Sequence, residues 1–359
     1  MNGERNTSRE MTVPQFFSLR HRQEKTRGTQ SGIVLLALIT IAVATASLFV
    51  GRYALSPHQM LSLLGVRNGN VDERAAAVLF QIRLPRIAVA MLAGGALATA
   101  GAAYQGIFRN PMVSPDLLGA TAGAGFGVAL GLVWGLPVGV IQALAFGCGL
   151  VAVAITCLIS SQLSHGKDSI LVMVLSGIVV GSVFTSLIAL LKTLAEPSSR
   201  LPAITFWLMG SLSGVTSSDV KLVAVPIILG AIPLYLLRWR LNVLSLGEDE
   251  ASALGVKTSR LRLATVLCST LMTASTVAVC GSIGWVGLVI PHLARALTGP
   301  DYRTLLGASF FLGATYLLLV DNLARGFTAT EIPLGILTSL VGAPFFAYLI
   351  TRVKKGWAA

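Results

Sequence analysis

Charge is what this sequence has least of. Only 12% of its 359 residues are Asp, Glu, Lys or Arg, about half the ~25% of an ordinary soluble domain. Acids are scarcest, 15 against 27 basic residues, for a net charge of +12. With 54% hydrophobic residues and a mean hydropathy of +0.77, this excludes a soluble fold with a polar surface. Cysteine is sparse too. Cys148, Cys157, Cys268 and Cys280 sit singly in apolar runs without a CxxC pair, so they read as small hydrophobes, neither metal ligands nor a disulfide framework. A nucleotide site is missing. "HGKDS" at 165–169 contains Gly-Lys, but a phosphate loop needs Gly where Ser161 stands and Ser or Thr where Asp168 stands. "GAGFG" at 123–127 lies in an apolar run and lacks the dinucleotide-loop spacing. Paired carboxylates and a His/Asp/Ser set are absent from the apolar runs, which argues against an enzyme. No cofactor is expected.

What is present is a series of long apolar runs, near 31–50, 87–106, 117–136, 138–160, 169–191, 220–237, 263–281, 283–298, 305–320 and 332–350. Each approaches the ~20 residues that cross a ~30 Å hydrocarbon core. A further apolar piece at 202–212 is too short to span. The expected class is an all-α integral membrane protein with ten transmembrane helices and both termini on one side. Residues 1–30 form a basic segment, 31–355 the membrane domain with a cytoplasmic loop at 241–262, and 356–359 a tail. With the N-terminus inside, eighteen of the 27 Lys and Arg fall on the cytoplasmic side, the sign of the positive-inside bias. That bias accounts for the net charge without a nucleic-acid partner. Glycines 119, 123, 127, 131, 135 and 139 recur every four residues, a small-residue face that lets helix backbones approach closely.

The runs hold almost no ionisable side chains. Asp116, Asp168, Asp321 and Glu331 all fall at their edges. A proton- or ion-coupled transporter usually needs acids within its spans, so a transporter built this way draws its energy from another polypeptide. One acidic segment stands out, "SLGEDEASALG" at 245–255. Ser245 and Glu248 have capping-box spacing. Glu248, Asp249 and Glu250 then occupy a first helical turn, where negative charge meets the positive end of the helix dipole. Gly255 suits a left-handed C-terminal stop, and Thr258 can cap the next helix. The segment reads either as a well-capped solvated loop or as a short surface helix that docks a cytoplasmic partner.

"LGEDEASALGVKTSRLR" (246–262) resembles the coupling loop of the FecCD-type permeases, membrane subunits of ABC importers for iron(III)-siderophores, haem and vitamin B12. Further motifs follow the family's order: "QIRLPR" (81–86), "GALATAGAAYQGIFRNPMVSPDLLG" (95–119), "GSIGWVGLVIPHLAR" (281–295), "DNLAR" (321–325) and "EIPLGILTSLVGAPFFAYLI" (331–350). The likeness covers about 31–355 and leaves the first 30 residues unassigned. It implies a type II ABC importer permease fold in the bacterial inner membrane. It also implies a second, identical or paralogous permease subunit, a cytoplasmic ABC ATPase dimer, and a periplasmic or lipid-anchored substrate-binding protein. The ATPase-coupling helix would comprise Ser245, Leu246, Gly247, Glu248, Asp249, Glu250, Ala251, Leu254 and Gly255. Arg83, Arg86 and Arg325 would dock the binding protein, with an internal pair to Asp321 as the competing role for Arg325. The fifth and tenth spans would line the pathway, with the 161–168 loop at its inner gate. His292 reads as structural, and no metal site is expected. The implied cargo is an iron(III)-siderophore complex. Haem or vitamin B12 are alternatives within the family, and a stand-alone secondary transporter is the alternative outside it.

Overall fold

The computed structural model describes residues 31–53, 56–63, 73–163, 169–326 and 330–357. The basic segment 1–30, most of the 161–168 loop and the last two residues lie outside them. The described residues are helical, with no strand among them. The order is α1 (Ser31–Ser47), α2 (Pro57–Leu63), α3 (Glu73–Ala77), a π-helical turn (Val78–Arg83), α4 (Leu84–Ile107), a 3₁₀ turn (Pro115–Leu118), α5 (Ala120–Val133), α6 (Val138–Leu163) and α7 (Ser169–Leu194). Then come α8 (Arg200–Leu208), α9 (Ser217–Leu246), α10 (Glu248–Ala253), α11 (Thr258–Cys280), α12 (Val286–Thr298), α13 (Tyr302–Gly326) and α14 (Leu334–Trp357). Among the described residues, six helices are long and apolar enough to cross a membrane: the stretch through α4, then α6, α7, α9, α11 and α13. Helices α1, α5 and α12 are apolar but shorter, as is the apolar part of α14, Leu334–Tyr348. The piece at 202–212 forms α8, a two-turn helix.

Helix α4 is the centre, buried along almost its whole length and packed by α9, α11, α12 and α13. Its sequence explains this place, because small residues let neighbours close in without leaving voids. A Cβ on Gly94 would come 2.2 Å from the Gly313 carbonyl oxygen of α13. The glycine ladder of α5 works likewise against α6. A Cβ on Gly127 would sit 2.4 Å from the Leu144 carbonyl oxygen.

Three non-helical stretches meet where α8, α11 and α14 approach. The Ser211 amide donates to the Cys280 carbonyl at 2.8 Å, the Leu334 amide to Gly210 at 2.8 Å, and the Gly335 amide to Met209 at 2.9 Å. Irregular backbone at membrane depth is stable only when other protein groups satisfy it, and these cross-links do so. Gly281 (φ 70°) and Trp285 (φ 70°) turn the chain sharply into α12.

Candidate functional site

The two polar features of the sequence lie at opposite ends of the bundle. Asn242, near the end of α9, donates through Nδ2 to Asp301 Oδ1 at 2.6 Å and accepts the Tyr302 amide at 2.8 Å. This pins the α9–α10 corner to the start of α13. Asp321 and Arg325 sit at the other end of α13. Twenty residues at helical rise separate Asp301 from Asp321 by about 30 Å, the thickness of a hydrocarbon core.

At the first end, α9 continues through Leu246 and the chain turns at Gly247 (φ 148°, ψ 160°) into α10. This corrects the capping expectation. Ser245 lies in the last turn of α9, where its hydroxyl donates to the Asn242 carbonyl at 2.6 Å. The N-cap of α10 is Gly247. A serine hydroxyl can bond back to a carbonyl of its own helix, so Ser245 extends α9. The turn then needs the one residue that tolerates this φ. A Cβ on Gly247 would also lie 1.9 Å from Glu250 Oε2, so the carboxylate of Glu250 folds back over the turn. Glu248 pairs with the buried Arg262 of α11. The start of α11 is capped at Lys257, and Thr258 is its first residue.

The C-terminal stop is as expected. Gly255 is left-handed (φ 77°). Its amide donates to Ser252 at 2.9 Å, and the Val256 amide donates to Ala251 at 2.9 Å, the paired bonds of a Schellman motif. Ala251 and Val256, buried together, supply the hydrophobic contact that accompanies it. Helix α10 is thus fixed by Ala251, Val256 and the Glu248–Arg262 pair. Everything else points outward. Asp249 and Glu250 are exposed, and Leu246 and Leu254 are 62% and 60% exposed. Two bare leucines flanking two acids form a small amphipathic knob.

At the second end, Arg83, Arg86 and Arg325 are each more than nine-tenths buried. Arg83 donates to the Leu48 and Tyr53 carbonyls. Arg325 Nη2 donates to the Ser47 carbonyl at 2.9 Å and to Asn322 Oδ1 at 2.5 Å. Ser47 closes α1 and Leu48 follows it, so the two arginines satisfy carbonyls that a helix C-terminus leaves open. Arg86 lies between two acids. It meets Asp321 Oδ1 through Nη2 at 2.8 Å and Nε at 3.0 Å, and Glu331 Oε1 through Nη1 at 2.8 Å. Asp321, fully buried, also stands 3.4 Å from Arg325 Nε. The internal pair weighed for Arg325 is therefore present, and the stronger pair belongs to Arg86. The cluster ties α1, α4, α13 and the strap before α14 into one unit.

Between the ends runs a cavitied face. One cavity of about 450 Å³ is lined by Asp116, Gly177, Gly181, Ser182 and Thr185. A second, about 400 Å³, adds Thr121, Trp207, Leu208 and Ser282. A third, about 530 Å³, continues from Leu208 and Ser282 to Gly335 and Ser339 of α14. Thr121 Oγ1 donates to Asp116 Oδ1. Helices α7 and α14, expected to form a wall, do line cavities on one face, with α8 and the 281–285 turn joining them. The signal in the sequence was Asp116 in "SPDLLG", which directly precedes the apolar run of α5.

Comparison with known proteins agrees with this geometry. The FecCD transport family model matches residues 38–352. The chain is 41% identical to the molybdate import system permease protein MolB of Haemophilus influenzae over 329 residues, 90% of this chain and 96% of that protein. It is 37% identical to a probable iron chelatin transport system permease protein of Helicobacter pylori, over 89% of this chain and 98% of that protein. Among solved structures, an inward-facing putative metal-chelate type ABC transporter superposes with a TM-score of 0.82 at 39% identity, covering 90% of this chain and 99% of that one. The chain belongs to the FecCD transport family and is a multi-pass permease of the ABC importer class, with a role in transport and not in catalysis.

Proposed function

We propose that this FecCD-family permease moves an iron(III)-chelate complex, of the siderophore kind, inward across the bacterial inner membrane. ATP is hydrolysed by a separate ABC ATPase dimer. The observation that carries this reading is α10, a rigidly bounded helix that presents Asp249, Glu250, Leu246 and Leu254 outward. Such a knob suits a cleft on a cytoplasmic partner with basic and apolar walls. Closure of the ATPase dimer would pull on it. The rigid corner to α9, α11 and the start of α13 would pass that movement to the spans. In this arrangement ten helices span the membrane, the six long ones and α1, α5, α12 and α14, with both termini and α10 cytoplasmic. The ~30 Å between the ends of α13 supports that placement.

The binding protein then docks on the opposite face, around Arg83, Arg86 and Arg325. Because all three are already paired internally, a docking carboxylate first engages Arg86 by taking over from Glu331, the more exposed acid of the cluster. Charge pairs of this kind set orientation and encounter rate more than affinity. A second permease subunit, the same chain or a paralogue, faces the α7–α14 wall and completes the pathway.

The wall favours a chelate over a bare oxyanion. The residues lining its three cavities include no Lys or Arg, and Asp116 is a carboxylate among Gly, Ser and Thr. The 41% identity to a molybdate permease favours molybdate as the second reading. Uptake by proteoliposomes containing permease, ATPase and binding protein separates the two. Radiolabelled iron(III) supplied as a siderophore complex is expected to accumulate with ATP, and labelled molybdate is not. The reverse result assigns molybdate.

A further inference from the structure

On a different face, away from the α7–α14 wall, α9 and α13 leave a groove of about 290 Å³ over α4. It is lined by Ala231, Ile232, Tyr235 and Leu236 on one side and by Leu306, Phe310 and Phe311 on the other, with Thr99 at its floor. Gly307, also on the wall, keeps it open beside Ile33 of α1. The walls are apolar except for the Tyr235 phenol and Thr99. The Thr99 hydroxyl is buried, with no hydrogen-bond partner. A buried donor left unpaired is unfavourable, so a ligand oxygen has a reason to lie there.

The groove has a charged mouth. Tyr235, Arg238 and Asn242 follow at helical spacing on α9, and Arg303, Leu306 and Phe310 on α13. The Asn242–Asp301 and Asn242–Tyr302 bonds bring these two faces together at one end. The guanidinium of Arg238 lies 3.9 Å over the Tyr235 ring, which fixes its position at the rim. Arg303 is exposed on the facing helix. Asp301, at the start of α13, is held by Asn242 and by the Arg303 amide at 2.8 Å. Trp239, half exposed on α9, adds an aromatic at the level where such rings sit in a membrane interface.

We propose that this groove binds one anionic phospholipid, with an acyl chain against Ile232, Leu306 and Phe310, an ester oxygen on Thr99, and the headgroup phosphate between Arg238 and Arg303. An apolar groove with two arginines at one end is complementary to a molecule with an apolar tail and a negative head. The same α9–α13 corner carries α10, so the lipid braces the element proposed to receive the ATPase stroke. Placing it in the cytoplasmic leaflet rests on the orientation proposed above; its binding does not.

The test is lipid retention by the purified, detergent-solubilised full chain, read by native mass spectrometry. Dioleoyl phosphatidylglycerol is compared with dioleoyl phosphatidylcholine. The expected result is preferential retention of the anionic lipid, weakened about fivefold for each arginine replaced in Arg238→Gln and Arg303→Gln. Gly307→Leu, which fills the slot, should release both lipids while leaving the thermal transition of the protein in place. Equal retention of the two lipids, or a preference that survives the double arginine variant, overturns the proposal. So does full competition by glycerophosphoglycerol, a headgroup without tails, which assigns an anion site and no lipid. Retention that appears only after deletion of residues 1–30 overturns it as well, since the chain's own basic segment is then the occupant. None of these outcomes depends on transport, so failure here leaves the permease reading intact.

Discussion

Arg86 shows how much stability one residue can hold in a chain so poor in charge. It donates to Asp321 and Glu331 at once, inside a cluster that also takes in Arg83 and Arg325. Removing one partner of a buried pair leaves an uncompensated charge and costs about 3–5 kcal/mol. Asp321→Asn should therefore lower the melting temperature in detergent far more than Asp249→Asn, which alters an exposed side chain. Equal shifts would mean that the cluster is not a structural clamp. The sequence displayed these residues as "RLPR" and "DNLAR", and their i,i+4 spacing suggested the contact between Asp321 and Arg325. It could not display Arg86 against Asp321, a pair 235 residues apart. Long-range ion pairs of this kind appear only once helix packing is known.

At the scale of the element, α10 was the most legible part. Its acids and Gly255 could be read from local rules, because caps and turns depend on near neighbours. Ser245 misled for the same reason. A serine can start one helix or lengthen another, and the choice fell to Gly247, whose φ no other residue adopts at so little cost. Glu248 likewise found a partner in Arg262, out of reach of a local rule. The outward leucines give a direct prediction. Burying a leucine at an interface contributes about 1.5–3 kcal/mol. Leu246→Ser combined with Leu254→Ser should leave the thermal transition nearly unchanged while the ATPase no longer co-purifies. Undiminished co-purification would remove α10 from the interface. The apolar runs were legible for a similar reason, since every one coincides with a helix. The seventh and eighth runs are parted by the turn at 281–285, where Gly281 and Trp285 take positive φ.

Across the whole molecule, two polar ends about 30 Å apart frame a wall of cavities with few charges. This is the plan of a permease that recognises little by itself and is moved from outside. The wall was the least legible feature. Its Gly, Ser and Thr residues come from α5, α7, the 281–285 turn and α14, and no local pattern marks them as one surface. The central claim is that force enters through α10. It is tested most directly in proteoliposomes containing permease, ATPase and binding protein, with Asp249→Lys and Glu250→Lys introduced together. Both acids are exposed, and Glu250 touches only the Gly247 turn at the base of its own helix, so the variant should fold and insert normally. ATP-driven uptake and cargo-stimulated ATP hydrolysis are then expected to fall together to the level without cargo. Uptake and stimulation at the unaltered rate would contradict the account.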